Sequence, residues 1–137
     1  MDASDPVIQR MREIAEGASA RAYAPYSRFA VGAAVMAEGG ELFTGCNVEN
    51  GSYSLTICAE RNALFQAVAA GHRRITAVVV YTPTEQPAPP CGACRQVIAE
   101  FGADAELFSF CRGAGHLQAT ARDLLPHAFT LDVPPEM

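Results

Sequence analysis

The stretch CAERNALFQAVAAGHRRITAVVVYTPTEQPAPPCGAC, Cys58 to Cys94, decides how the chain folds. From Cys58 to about Ala70, Ala63, Leu64, Ala67 and Val68 recur on one side of a helical period, and Gly71 supplies a stop, so this part predicts a helix. Ile75 to Tyr81 contains an Ala-Val-Val-Val run, which suits a strand covered on both faces. A proline-rich loop, Thr82 to Pro90, leads to a second predicted helix from Cys91 to about Phe101, ended by Gly102. Helix, strand and helix in this order predict an α/β fold. Both cysteine clusters then fall at helix starts, each directly after a loop.

The flanking segments extend the same pattern. Ser4 is placed to cap a helix that opens with Asp5-Pro6, and Val7, Met11, Ile14, Ala18 and Ala22 carry its apolar stripe to about Tyr23. Ala24-Pro25-Tyr26-Ser27 ends it. Phe29 to Ala37 reads as a strand, and Gly39-Gly40 as a hairpin turn into Glu41 to Cys46. Asn47 to Ser54 is a polar loop. Ala105 to Phe110 and His116 to Ala119 read as further strands, and Thr120 with Asp123 as a capping box for a short helix through Leu125. With no repeat or linker, residues 1–137 form one domain, an α/β sandwich with a mixed five-stranded sheet.

Composition narrows the function. A chain of 137 residues, half of them hydrophobic, buries about two-thirds of its unfolded surface. The net charge is −5, with no run of Lys or Arg, and Trp is absent. A polynucleotide binder presents a basic face with interleaved aromatics, so a small substrate is expected and nucleic acid is not. No apolar stretch is long enough to span a bilayer, and Met1-Asp2-Ala3-Ser4-Asp5 lacks the basic start of a signal peptide, so a cytoplasmic protein is expected. Five cysteines in that compartment favour metal binding or free thiols over disulfides.

Three thiols can hold Zn²⁺ while leaving its fourth tetrahedral position open, the mark of a catalytic rather than a structural site. Cys91 and Cys94 lie one turn apart, and Cys58 completes the set if the two helices lie side by side. A helix start also favours the thiolate, through unpaired N–H groups and the macrodipole. A redox reading of Cys91 and Cys94 leaves Cys58 and Glu60 without roles. A closed structural site needs a fourth ligand, for which His72, His116, His127 or Cys46 are the nominees, though none has the paired short spacing of zinc knuckles. Glu60 alone could merely compensate the helix dipole, but two residues from a ligand it is placed to move protons. Three thiolates outweigh the charge of Zn²⁺, so a nearby cation is needed, with Arg61 the first candidate and Arg95 the second. Cys58-Ala59-Glu60 followed by Pro90-Cys91-Gly92-Ala93-Cys94 is the all-cysteine form of a signature known in zinc nucleobase deaminases.

The longer stretches carry a resemblance. Tyr23-Ala-Pro-Tyr-Ser-Arg-Phe-Ala-Val-Gly-Ala-Ala, Gly45-Cys-Asn-Val-Glu-Asn, Thr56-Ile-Cys-Ala-Glu-Arg, Pro90-Cys-Gly-Ala-Cys-Arg-Gln-Val and Leu124-Leu-Pro-His-Ala-Phe together resemble the small homotetrameric cytidine deaminases, from about Ala22 to Phe129. The resemblance implies a three-layer α/β/α fold and hydrolysis of cytidine and 2′-deoxycytidine to the uridines with release of ammonia. It implies Glu60 as the proton shuttle for a zinc-held water, Asn47 and Glu49 as holders of the ribose hydroxyls, and a base contact from the Ala59 backbone. It places Phe29 beside the pyrimidine and Phe129 in the pocket of a neighbouring subunit, and so implies a tetramer with shared sites. Without it, Asn47 and Glu49 read as loop residues and both phenylalanines as core. The chain departs from the pattern at Asn62, where Thr is common, at Pro89, where Ser is common, in the proline-rich 82–90 segment and at Gly51-Ser52. These differences bear on the outer pocket, and make a modified cytidine or an aminonucleoside antibiotic the alternative substrate.

Overall fold

The computed structural model describes residues 1–132. Helices α1 (Pro6–Ser19), α2 (Ala59–Ala69), α3 (Gly92–Phe101) and α4 (Ala121–Leu124) surround strands β1 (Gly32–Ala37), β2 (Leu42–Cys46), β3 (Ile75–Thr82), β4 (Glu106–Cys111) and β5 (His116–Thr120). The five strands form one mixed sheet in the order β2-β1-β3-β4-β5. β1 is antiparallel to both β2 and β3, β3 runs parallel to β4, and β4 is antiparallel to β5.

Alternation along the strands builds two cores. Val78 and Val80 face a cluster with Ala59, Ala63, Leu64 and Ala67 of α2 and Ile98 of α3. Ala77, Val79 and Tyr81 face the other way, onto Ile8, Met11 and Ala15 of α1, with Phe108 and Phe110. The α/β/α layering follows from this period of two.

β2 and β3 are both antiparallel to β1 and so run the same way. α2 connects them across β1, and α3 connects β3 to its parallel neighbour β4. Both helices therefore start from the edge of the sheet where the carboxyl ends of β2 and β3 lie, on the same face, and this edge is where open α/β sheets bind ligands. Cys58 and Cys91 occupy the two residues just before these helices.

Close packing holds α2 in place. A Cβ on Gly45 would lie 2.4 Å from the Ala63 nitrogen and 2.6 Å from the Ala59 carbonyl oxygen, so only glycine lets β2 approach the helix. Asn62 adds a tie, with Nδ2 donating to the Cys46 carbonyl at 2.8 Å.

The first helix departs from expectation in phase, cap and length. Its buried stripe is Ile8, Met11, Ala15 and Ala18, with Val7 and Ile14 only at the margin. The cause is Gly32 on β1, where a Cβ would stand 1.8 Å from the Ala15 carbonyl oxygen, so closest approach occurs at Ala15. Ser4 does not cap the helix, because its hydroxyl donates to Asp2 at 2.5 Å and Asp5 holds the cap position. The helix ends at Ser19 rather than near Tyr23 because Tyr23 leaves to bridge the 47–49 segment. Its N–H donates to the Asn47 carbonyl at 3.0 Å, and its carbonyl accepts from the Glu49 N–H at 2.8 Å.

The β1 ladder begins at Gly32 rather than Phe29. The Asn47 side chain takes the preceding segment, accepting from the Val31 N–H at 2.9 Å and donating to the Phe29 carbonyl at 2.7 Å. At the other end of the chain, the Thr120 hydroxyl accepts from the Asp123 N–H at 3.1 Å, as a capping box requires.

Candidate metal centre and adjoining cavity

The sulfur atoms of Cys58, Cys91 and Cys94 all lie within 4.8 Å of one another. The Cys58 and Cys91 sulfurs are 3.8 Å apart. Tetrahedral zinc with Zn–S bonds of about 2.3 Å requires its sulfurs about 3.8 Å apart. The two N-cap cysteines make no side-chain cap bond, while their carbonyls accept the first helical hydrogen bonds from Asn62 and Arg95. Their thiols remain available to a ligand.

The thiols and their neighbours form one electrostatic unit. Hydrogen bonding from the Cys94 thiol, with further bonds from Arg61 and Cys91, draws Cys58 down to about 5 against the effect of burial. Cys94 is pushed up, first as the hydrogen-bond donor to Cys58 and then by burial and the charge of Glu60. Arg61 Nη2 donates to the Cys58 sulfur at 3.5 Å, and that bond chiefly holds the guanidinium charged. Its Nε is buried without a hydrogen-bond partner. A soft three-sulfur donor set with one cation beside it and a cavity on its open side fits zinc in an open, catalytic arrangement.

The other nominees sit elsewhere. Among the described residues, no histidine and no fourth cysteine joins the cluster. His72 pairs with Glu41 at 3.5 Å and packs on Phe43, and His116 packs on Phe110. His127 follows α4 in the left-handed region, with φ of 56°. Arg95, the second candidate for charge balance, directs its hydrogen bonds away from the sulfurs. Its Nε donates to the Pro90 carbonyl at 2.8 Å and its Nη1 to the Leu124 carbonyl at 3.0 Å, which ties α3 to α4.

A cavity of about 430 Å³ opens beside the cluster, lined by Cys58, Cys91, Glu60, Ala59, Phe29, Asn47 and Glu49 among others. Glu60, in the first turn of α2, is 5 % exposed. Burial, and then the charge of Cys58, raises its carboxyl to about 7. Glu49 is clamped by loop 26–27. Its Oε1 accepts from the Tyr26 and Ser27 N–H groups at 2.9 and 3.1 Å, and its Oε2 accepts from the Ser27 hydroxyl. That hydroxyl bond chiefly holds the Glu49 carboxyl below its usual range. Phe29 is part-exposed on the cavity wall and outside both cores.

Phe129 is not brought to this cavity. It is 69 % exposed and lines a separate depression with Gln96, Leu125 and His127. Pro89, already marked as a departure bearing on the outer pocket, lines the main cavity, and so do Ser27, Thr56, Thr82 and Ala88, which were not singled out individually by sequence. Their one sequence signal is position, since they flank the motif residues or lie in the proline-rich loop.

Known proteins are similar to this chain in sequence and fold. The family model "Cytidine and deoxycytidylate deaminase zinc-binding region" matches residues 6–109. A cytidine deaminase of Halalkalibacterium halodurans is 47% identical over 133 residues, covering 91% of this chain and 97% of that protein. One from Sporosarcina psychrophila is 50% identical over 120 residues, covering 85% and 88%. The crystal structure of cytidine deaminase from Burkholderia pseudomallei superposes with a TM-score of 0.85 at 48% identity, covering 88% of this chain and 98% of that one. The zinc-region match takes in both cysteine clusters, and the likeness runs through most of each relative's length: the chain belongs to the cytidine and deoxycytidylate deaminase family.

Proposed function

We propose that this chain is a zinc-dependent cytidine deaminase that hydrolyses cytidine and 2′-deoxycytidine to uridine and 2′-deoxyuridine with release of ammonia. The observation that carries the reading is the three-sulfur cluster opening, with the buried Glu60, into one cavity of about 430 Å³. Cys58, Cys91 and Cys94 hold the zinc. When bound, zinc supplies Lewis acidity, which lowers the pKa of water to about 7.

Glu60 carries the protons. It takes one proton from the attacking water and gives it to N3 of the ring. It then takes the second from the hydroxyl this water has become on C4 and gives it to the departing amine, which leaves as ammonia. Its burial excludes bulk water from these transfers and strengthens every charge interaction in the site. Arg61 offsets the excess negative charge of the sulfurs. Asn47 and Glu49 hold the ribose hydroxyls; the Tyr26–Ser27 clamp supports this role by fixing Glu49 as an ionised acceptor on the cavity wall. Ala59, at the start of α2, offers its backbone to the base, and Phe29 packs beside the pyrimidine ring.

The substrate is a free nucleoside. Glu49 places negative charge where a phosphorylated sugar would sit, and no basic side chain is among the residues lining the cavity. Cytidine and deoxycytidine are expected to react well in a direct absorbance assay, while cytidine monophosphate and single-stranded DNA are expected to be inert. A monophosphate rate close to that of the nucleoside would contradict the roles given to Asn47 and Glu49. Ala88 and Pro89 shape the outer wall, so N4- and C5-substituted cytidines belong in the same panel as the alternative substrates.

The working form is a homotetramer with shared sites, in the cytoplasm, serving pyrimidine salvage. Among the described residues no helix is long and apolar enough to cross a membrane. Tyr53, Leu55 and Phe129 are 74, 61 and 69 % exposed, apolar area of the kind that symmetric interfaces cover. Phe129 then reaches the cavity of a neighbouring subunit. Phe129→Ala is expected to raise KM for cytidine several-fold with zinc content unchanged, about what losing one buried ring contact predicts. Sedimentation that finds a fully active monomer would contradict the shared site.

A further inference from the structure

A chain of hydroxyls of fixed polarity ends at the cavity wall. Thr82, the last residue of β3, is 3 % exposed and lines the cavity with Glu60, Cys58 and Cys91. Its Oγ1 lies 2.8 Å from Thr84 Oγ1, and Thr84 Oγ1 lies 2.6 Å from the Gln86 carbonyl oxygen. A threonine hydroxyl has one hydrogen, and a carbonyl oxygen only accepts. The Thr84 hydrogen is therefore committed to Gln86. Between the two threonines the donor must then be Thr82. With its hydrogen directed to Thr84, Thr82 retains lone pairs and no donor.

The relay rests on the unusual loop. Pro83 and Pro87 bracket the Thr84-Glu85-Gln86 turn. That turn is also anchored by the residues just after β4, where the Arg112 and Gly113 N–H groups donate to the Thr84 carbonyl at 2.9 and 3.4 Å. Thr84 and the Gln86 carbonyl are thus held in position and are not free to swing away from Thr82.

From this we infer that Thr82 is a specificity-determining residue, an acceptor-only group that favours an amino donor on the ring over a carbonyl oxygen, and that Thr84 is the positioning residue that sets its polarity. The inference rests on the deaminase reading. A cytosine-type ring presents N–H to Thr82, whereas the uracil-type product presents an oxygen, and two facing acceptors repel. The same group thus favours substrate over product, and a buried site built to receive an N–H discriminates against a ligand lacking it.

The test uses the zinc-loaded protein, with uridine as a competitive inhibitor of cytidine deamination, and reads the ratio of the uridine inhibition constant to KM for cytidine. Thr84→Val frees the Thr82 hydrogen to turn toward the ring. The ratio should fall about fivefold to tenfold, the scale of one neutral hydrogen bond, with zinc content unchanged. Thr82→Val removes the acceptor and should lower the ratio by raising KM. Thr84→Ser and Thr82→Ser retain the hydroxyls and should restore the parent ratio, which a purely structural role for either residue does not require. A ratio within twofold of the parent in both valine variants, with the parent active, overturns the inference and leaves the deaminase reading standing. If the unaltered protein releases no ammonia from cytidine, the deaminase reading fails and takes this inference with it.

Discussion

Replacing Glu60 by Gln will leave the fold and the metal in place while lowering kcat by about 10²–10⁴-fold, the usual contribution of a general acid–base group, or more if several transfers depend on it. The amide is nearly the same size as the carboxyl, so the buried space at the start of α2 stays filled. Metal is retained because the ligand set is the three sulfurs, to which Glu60 does not belong. What the variant lacks is a group that takes up and gives back a proton beside the cluster. Zinc analysis, circular dichroism and turnover on the same preparation separate these effects. A Glu60→Gln protein with near-normal turnover would remove Glu60 from the mechanism.

The second large effect is expected at the ligands. Cys58→Ser and Cys91→Ser should each lose most of the zinc and, with it, measurable activity. The two cysteines stand at the starts of separate helices, so each substitution opens the site from a different element. Metal bound only to the native state also stabilises it, by about 4 kcal/mol when free ligand exceeds Kd roughly 1,000-fold, so a lower thermal midpoint should accompany the loss. Elemental analysis should find about one zinc per chain in the parent, as a single tetrahedral site requires. Full zinc in both variants would contradict the three-sulfur assignment.

Much of this arrangement was legible in the sequence because it is local. The Ala-Val-Val-Val run suited a strand covered on both faces, which β3 is, and Gly71 and Gly102 marked real helix ends. Cysteines just after loops had to sit at helix starts, which the caps of α2 and α3 bear out. The stripe of α1 was less legible, because Val7 and Ile8 are equally apolar and only Gly32, on another element, sets the phase. Nor did its end carry a local signal. Ala20-Arg21-Ala22 favour helix, and a long-range bridge to Asn47 and Glu49 overrides them.

Side-chain partners proved hardest to anticipate. Arg61 and Arg95 each follow a cysteine by a few residues, and nothing in their spacing says that Arg61 reaches a sulfur while Arg95 reaches the Leu124 carbonyl. Asn62 looked like a departure in the pocket and instead ties α2 to β2. The proline-rich loop hid a different feature: it carries Thr84 and the carbonyl that orient Thr82, a relation visible only once the chain has turned back on itself.

The most direct test of the central claim is ammonia release from cytidine by the purified protein before zinc removal, after chelation and after zinc is restored. One ammonia and one uridine should form for each cytidine consumed, with activity abolished by chelation and recovered with about one zinc per chain. Cytidine left intact by the zinc-loaded protein, or deaminated equally well after the zinc is stripped, would contradict it.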